Sequence, residues 1–285
     1  LRYIDLHIHS NFSDGTLPPA GLIKAAKEAD LSAVALTDHD TLAGLAEAES
    51  AGTDANIEVI AGVELSANHN GNSVHILGYG FDRFDQGLLA LLIELQKIRH
   101  NRNLRILEKL AERGIQIEMD ELTADNPGLV GRPHIARLLV QRKKVKNVDQ
   151  AFQRYLKKNG LAYVDSERFP ATETIRTIKN AGGLAVLAHP TTFAKTLAGT
   201  EEVVRYLHKQ GLDGVEAIYP GHTRKICKGL SELAEKLDLL ITGGSDYHGP
   251  MKQRINIGGA PVMPPVPYRL LEKLKERLSD CAVNH

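Results

Sequence analysis

Residues 57–79, IEVIAGVELSANHNGNSVHILGY, decide the fold. They hold two apolar, β-branched runs, 57–65 and 74–79, joined through Asn68-His69-Asn70-Gly71-Asn72. Those joining residues have turn chemistry and are too few for a crossover helix, so the runs are expected to pair as an antiparallel hairpin. With the turn centred near Asn70, Glu64 and His75 stand almost opposite each other, side chains on one face. Outward from the hairpin, similar strand-like runs occur at 3–8, 33–37, 184–188, 214–219 and 239–242. Helical patterns separate most of them, at 18–29, 41–51, 171–181, 201–210, 223–237 and 268–280. Seven strands with crossover helices predict an α/β barrel rather than an open sheet.

One stretch breaks this rhythm. Residues 87–113 form one long helical pattern with Leu88, Leu91, Leu92, Leu95, Ile98 and Leu110 on an apolar stripe. From 115 to 165 the chain is helical and basic, interrupted by Asn126-Pro127-Gly128. The expected organisation is an α/β barrel made of 1–95 and 166–285, with 96–165 as an inserted basic helical subdomain. The formal charge of zero hides an asymmetry: residues 97–158 hold fifteen Lys or Arg against seven Asp or Glu, a net +8 balanced by −8 elsewhere. A basic module on an acidic body points to an anionic partner, although a solvated helical face has the same composition. The 285 residues are 42% hydrophobic, enough for a substantial core. No stretch approaches the ~18 consecutive apolar residues of a membrane span, and no basic-then-apolar leader opens the sequence, so a soluble, cytoplasmic protein is expected. Cys227 and Cys281, far apart and without a CxxC, exclude a thiolate zinc site and argue against a disulfide framework.

The informative feature is where the polar residues fall. Asp5-Leu6-His7-Ile8-His9 puts two histidines on one side of a strand. Thr37-Asp38-His39-Asp40 follows the second strand, Glu64 ends the third, and His75 lies across the hairpin. His189-Pro190 and Ser245-Asp246-Tyr247-His248 follow two later strands. Functional groups of α/β barrels gather at the carboxyl ends of strands, so these residues are expected to converge. Imidazole with carboxylate suits Zn, Mn or Fe. Six histidines and several carboxylates exceed the needs of one ion, so two or three divalent ions are expected. Bridging ions activate water as hydroxide and neutralise a phosphoryl group in flight. Singly, HxH, HP and SDxH are weak signals; the joint pattern carries the reading. Asp5, Asp38 and Asp40 either orient imidazoles or act as caps and turn formers. His69, His100, His208 and His285 lie in turns, on helix faces or at the terminus and are not assigned to the centre.

These residues resemble a known family, the PHP (polymerase and histidinol phosphatase) superfamily. The matching stretches run in order along nearly the whole chain: DLHIHSNFSDG (5–15), ALTDHDTLAG (35–44), AGVELS (61–66), VHILGYG (74–80), LAHP (187–190) and GGSDYHG (243–249). The resemblance implies a distorted (β/α)7 barrel with up to three metal ions, usually Mn, Zn or Fe. Carried over by position, His7, His9, Glu64 and Asp246 hold one ion. Glu64 bridges to a second, held with His75 and His189, and Asp14, His39 and His248 hold the third. Asp14 stands where some relatives carry histidine, which favours harder ions such as Mn.

Within 96–165, Gly131-Arg132-Pro133-His134 offers a planar guanidinium fork suited to phosphate, or simply a helix start with Pro133 in its first turn. The motif resembles one PHP branch, the 3′,5′-nucleoside bisphosphate phosphatases and related 5′-to-3′ exoribonucleases. The resemblance implies an insert that covers the active site and grips the non-reacting phosphate, with Arg132 and His134 as candidates. His222 and Arg224 either meet phosphate too or form a helix N-terminal turn. The expected reaction has a metal-bridging hydroxide as nucleophile on the 3′-phosphate, with His248, His134 or a metal-bound water protonating the leaving oxygen. The expected partner is a small anionic nucleotide, with short RNA as the alternative and neither a membrane nor a protein partner. Three rivals are an exoribonuclease, a histidinol-phosphate phosphatase and a catalytically silent metal-binding scaffold. The cationic amine of histidinol phosphate suits the basic insert poorly, and ligand-type residues at all nine metal positions argue against a silent module. The absence of Trp, with only Phe152 and Tyr155 as aromatics in the basic segment 97–158, favours a mononucleotide over RNA.

Overall fold

The computed structural model describes residues 2–124, 126–165, 168–194, 196–250, 255–261 and 263–283; His285 lies outside them. The chain opens with β1 (Tyr3–Ile8), α1 (Pro19–Glu28), β2 (Leu31–Leu36), α2 (Leu45–Ala55), β3 (Glu58–His69) and β4 (Asn72–Tyr79). The long helix α3 (Gln86–Ala111) leads to α4 (Met119–Thr123), α5 (Arg132–Gln141) and α6 (Val148–Ala151), which continues as a π turn, Phe152–Leu156. The barrel then resumes with β5 (Phe169–Pro170), α7 (Ala171–Asn180), β6 (Leu184–Leu187), α8 (Leu197–His208), β7 (Gly214–Ile218), α9 (Arg224–Lys236), β8 (Leu240–Gly243), β9 (Val266–Pro267) and α10 (Arg269–Val283).

The strands order β8-β7-β6-β4-β3-β2-β1-β9, with β5 added beside β3. Neighbours are parallel except at β4, which is antiparallel to both β3 and β6, and at β9, which is antiparallel to β1. The sheet curls into a nearly closed barrel. At the carboxyl end of β1 the segment after β8 closes the ring, because the Asp246 N–H donates to the His7 carbonyl at 2.8 Å and the His9 N–H to Tyr247 at 2.9 Å. At the opposite end β9 pairs with Tyr3 and Ile4.

Asn70 and Gly71, with φ of 50° and 78°, make a two-residue turn in the left-handed region. That turn sets a register different from the one expected: Glu64 pairs with Leu77, and His75 with Ser66. The turn centre falls between Asn70 and Gly71 rather than before Asn70, so Glu64 and His75 are diagonal neighbours on the same face. The second helix starts at Leu45 rather than residue 41, because Asp40 is left-handed (φ 54°) and the Thr41 hydroxyl accepts the Ala43 N–H in a turn.

Three cores hold the fold. One lies between the sheet and its outer helices. One fills the lower barrel with Ile4, Leu6, Leu77, Tyr79 and Val186 and is closed by Leu271 and Leu274 of α10. The third belongs to the 106–164 region, with Ile106, Leu110, Ile135, Leu139 and Leu156. Helix α3 spans two of them: Leu88, Leu91, Leu92 and Leu95 join the barrel, and Ile106, Leu107 and Leu110 join the insert. The expected boundary at 95/96 thus falls inside one continuous helix. No helix among the described residues is long and apolar enough to cross a membrane.

Candidate metal centre

Glu64 lies in mid-β3 and is 1% exposed. Its Oε1 is 2.8 Å from both His75 Nδ1 and His189 Nε2. Its Oε2 is 3.1 Å from His39 Nδ1 and 3.3 Å from each Nε2 of His7 and His9. One carboxylate therefore meets five imidazoles. Burial pushes its pKa up, but His39, His75 and His7 prevail and hold it well below the carboxylate range.

Two further carboxylates complete the arrangement. Asp246 Oδ1 is 3.2 Å from His9 Nε2 and 3.6 Å from His7 Nε2, while its Oδ2 accepts the Tyr219 hydroxyl at 3.2 Å. Asp14 Oδ1 is 3.2 Å from His248 Nε2 and 3.8 Å from His9 Nδ1, and its Oδ2 is 3.9 Å from His39 Nε2. Burial opposes the charge on Asp14, but His248 and His39 keep its pKa far below normal. His189 (φ 25°) and Asp246 (φ 52°) both adopt left-handed backbone, at an energetic cost.

The nine residues nominated as ligands fall into four overlapping groups: His9-Asp14-His39-His248, His7-His9-Asp246, His7-Glu64-His189 and His39-Glu64-His75. Within each, the donor atoms lie within 4.8 Å of one another. The sharing differs from the arrangement carried over by position, since His9 also joins Asp14 and His248, and His39 also joins Glu64 and His75. Among the described residues, His9 Nδ1, His39 Nδ1, Asp14 Oδ1 and Glu64 Oε2 are buried without a hydrogen-bond partner. His7 Nε2 and His9 Nε2 face each other at 3.1 Å. Buried lone pairs that converge in this way are costly unless a cation lies among them. The donors are nitrogen and oxygen only, so the set fits divalent ions such as Mn, Fe or Zn. For His9, burial lowers the pKa, but Asp246, Glu64 and Asp14 raise it to about 10. Burial drives His39 down to about 3.

Glu216 was not nominated from the sequence. It is fully buried in β7; its Oε1 lies 2.9 Å from His7 Nδ1, and its Oε2 accepts the His189 N–H at 2.7 Å. An acid inside the apolar run Gly-Val-Glu-Ala-Ile was the available signal. The flanking aspartates hold loops rather than rings. Asp5 accepts the N–H groups of His7, Ser245 and Gly258. Asp38 accepts from Ser10 and Ser13, and Asp40 from Ser66 and Arg99.

A cleft opens above the centre, lined by Asp14, His39 and His75 below and by Arg99, Arg102, Arg132, Arg168 and Phe152 around it. Burial, together with the nearby Arg99 and Arg132 charges, pulls the Arg102 pKa well below its usual value. Burial and the charges of Arg168 and Arg99 lower that of Arg132. Like charges are crowded here, as an anion site requires. The sequence pointed to Arg132 alone, because arginines on the face of α3 have the pattern of a solvated helix. The other nominated substrate residues are not among the residues lining this cleft. The His134 Nδ1 accepts the Gly131 N–H at 3.0 Å, capping α5. Burial and Arg137 lower its pKa to about 4, so the ring is neutral at pH 7. His222 is buried with Nδ1 bonded to the Ala217 carbonyl, and its ring meets Tyr219 edge-on. Arg224 is exposed at the first position of α9. The insert also grips the loop that carries Asp14: Arg137 donates to the Asp14 carbonyl and the Leu129 N–H to Phe12, both at 2.8 Å.

Comparisons with known proteins bear on the family and the fold. A family model described as PHP domain matches residues 5–280. A Haemophilus influenzae 5′-3′ exoribonuclease is 39% identical over 246 residues, covering 86% of this chain and 90% of that protein. A Chromobacterium violaceum 3′,5′-nucleoside bisphosphate phosphatase is 31% identical over 284 residues, covering 96% and 97%. A solved Bifidobacterium adolescentis structure described as a metal-dependent phosphoesterase superposes with a TM-score of 0.89 at 29% identity, covering 97% of this chain and 96% of that one. On the match along its length and on these relatives, the chain belongs to the PHP domain family.

Proposed function

We propose that this PHP-family phosphatase removes the 3′-phosphate of nucleoside 3′,5′-bisphosphates, giving a nucleoside 5′-monophosphate and phosphate. The observation that carries this reading is the pairing of a nine-residue donor cluster with a cleft of four arginines directly above it. Two or three divalent ions would be held by His7, His9, Asp14, His39, Glu64, His75, His189, Asp246 and His248, with Mn as the first choice and Zn or Fe as alternatives. When bound, such ions lower the pKa of water and neutralise charge on a phosphoryl group.

The chain's own residues do the rest. Arg132 and Arg102, with Arg99 and Arg168 beside them, form charge-assisted bonds to the non-reacting 5′-phosphate. That grip fixes the other phosphate over the donors. Phe152 offers the nucleoside an apolar surface within the cleft. Glu216 fixes the His7 ring through Nδ1, which leaves Nε2 facing the centre. Arg137 and Leu129 hold the Asp14 loop against the insert. The test is turnover of adenosine 3′,5′-bisphosphate with Mn, scored by which phosphate is released. Adenosine 5′-monophosphate is the expected product; loss of the 5′-phosphate, or no turnover with Mn, Zn or Fe, rejects the reading.

A further inference from the structure

The donors of the centre are braced from two different parts of the chain. Glu216 holds the His7 ring and the His189 N–H, and Tyr219 holds Asp246, so these three are braced by β7 and the residue after it. The His9-Asp14-His39-His248 group is braced by the helices that carry the arginine cleft. Arg137 of α5 donates to the Asp14 carbonyl at 2.8 Å. Gln96 of α3 donates through Nε2 to the Asp40 carbonyl, also at 2.8 Å and one residue beyond His39. The Asp40 N–H donates to the Glu64 carbonyl at 3.0 Å, and its carboxylate meets Arg99. Strand β3 and helix α3 therefore hold this left-handed residue (φ 54°) between them. The Thr16 N–H donates to the His248 carbonyl at 3.0 Å, which ties His248 to the Asp14 loop. Asp14 and His39 thus sit on main chain that α5 and α3 grip, and His248 is linked to the first of these through one loop.

We propose that Gln96 and Arg137 are positioning residues for the ion held by His9, Asp14, His39 and His248, so that docking of the insert completes this one ion site. The inference rests on the metal centre of the function proposed above, not on its substrate. Both residues grip main-chain carbonyls, which leaves the side chains of Asp14 and His39 for an ion. Asp14 Oδ1 and His39 Nδ1 are buried without a hydrogen-bond partner, as ligand atoms awaiting a cation are. Neither Gln96 nor Arg137 is a donor of the group, and neither lines the arginine cleft. They act only through the backbone that they hold. The four donors come from three separate segments, at 9–14, at 39 and at 248. Ordering such segments at the moment of binding costs conformational entropy. Contacts that order them beforehand remove that cost and raise affinity without touching the ion.

The experiment titrates metal-depleted protein with Mn by calorimetry, in wild type, Gln96→Leu, Arg137→Ala, Arg137→Lys, the Gln96→Leu/Arg137→Ala double variant and Asp14→Asn. Circular dichroism checks that each is folded. Asp14→Asn marks which part of the isotherm belongs to this ion. Each of Gln96→Leu and Arg137→Ala is expected to weaken that same part by roughly tenfold, and the double variant by up to roughly a hundredfold. The remaining Mn should bind as in wild type. Arg137→Lys keeps a donor for the Asp14 carbonyl and should restore most of the affinity. A double variant that binds Mn as wild type does, or that loses affinity equally at every site, overturns the proposal. So does a loss in Arg137→Lys as large as in Arg137→Ala. Should the double variant misfold, the two single variants decide by the same criteria. A wild type that binds neither Mn nor Zn nor Fe overturns the proposed function along with it.

Discussion

His75 Nδ1 lies 2.8 Å from Glu64 Oε1 although the two residues are two positions out of register across the hairpin. The contact exists because both side chains leave the same face and the diagonal spacing of a twisted pair is within their reach. His75→Ala is expected to reduce the metal content of the purified protein while leaving its circular dichroism unchanged. Elemental analysis gives the answer; full metal content in the variant would remove His75 from the donor set.

Glu216 makes no predicted contact with substrate, yet it bonds His7 Nδ1 and the backbone of His189. Glu216→Gln keeps the shape and removes the charge. Loss of such a supporting contact typically costs ten- to a hundred-fold in metal affinity. Titration of the metal-depleted variant with Mn should show a weakening of that order, and wild-type affinity would show that Glu216 only fills space.

Arg132→Ala should lower kcat/KM for adenosine 3′,5′-bisphosphate by roughly ten- to a hundred-fold, the worth of a charge-assisted bond. Metal content should stay at the wild-type level. A generic phosphate monoester without a second phosphate should lose far less, and equal losses on both substrates would argue against a gripping role.

The centre should bind cations more weakly as pH falls. Without an ion, burial opposes the charge, but neighbouring carboxylates raise His7 well above its usual value and His9 to about 10, so the pair holds a proton at pH 7. Metal ligation needs neutral imidazole, so loading must expel protons. Calorimetry of Mn binding in two buffers of different ionisation enthalpy should record net release at pH 7, shrinking as pH rises through about 10. For the metal-free protein, the raised His9 pKa contributes stability that is complete below about 6.5 and lost as pH rises through about 10. The depressed Glu64 pKa acts in the opposite sense: its contribution is present above about 4.5 and lost as pH falls through the folded value.

Gly128 packs so closely on the loop after β1 that a Cβ there would lie 2.0 Å from the Phe12 carbonyl oxygen. Gly128→Ala should force the insert off that loop, at a cost of about 1–3 kcal/mol typical of overpacking. A fall in thermal midpoint with reduced bisphosphate turnover is expected. A variant as stable and active as wild type would show that the Phe12 contact is dispensable.

The sequence displayed those features whose physics is local. An apolar, strand-like run marked β1 at Tyr3–Ile8, and the Asn-Gly turn marked the hairpin, because each depends on a few adjacent residues. Ligand-type residues stood out because they lie within or just past apolar strands, where a buried polar group needs a reason. The hairpin register was less accessible, since a shift of the turn centre by one residue changes every pairing. Arg99 and Arg102 were hidden by their place on a long helix, where a charged face has an ordinary explanation in water. Only the fold of the insert shows that this face meets Asp40 and a cleft rather than solvent. For His134 and His222 the hidden part is complementary: one ring nitrogen of each satisfies a backbone group of its own neighbourhood, which spacing alone does not reveal.

The continuity of α3 has a last consequence. Arg99 and Arg102 sit between Leu95, anchored in the barrel, and Ile106, anchored in the insert. A guanidinium pair held from both ends of one rod arrives at the encounter already aimed, so capture of an anion spends little on ordering a flap. Selection can then retune what the cleft accepts by changing one side of that rod, while the catalytic floor beneath keeps its chemistry.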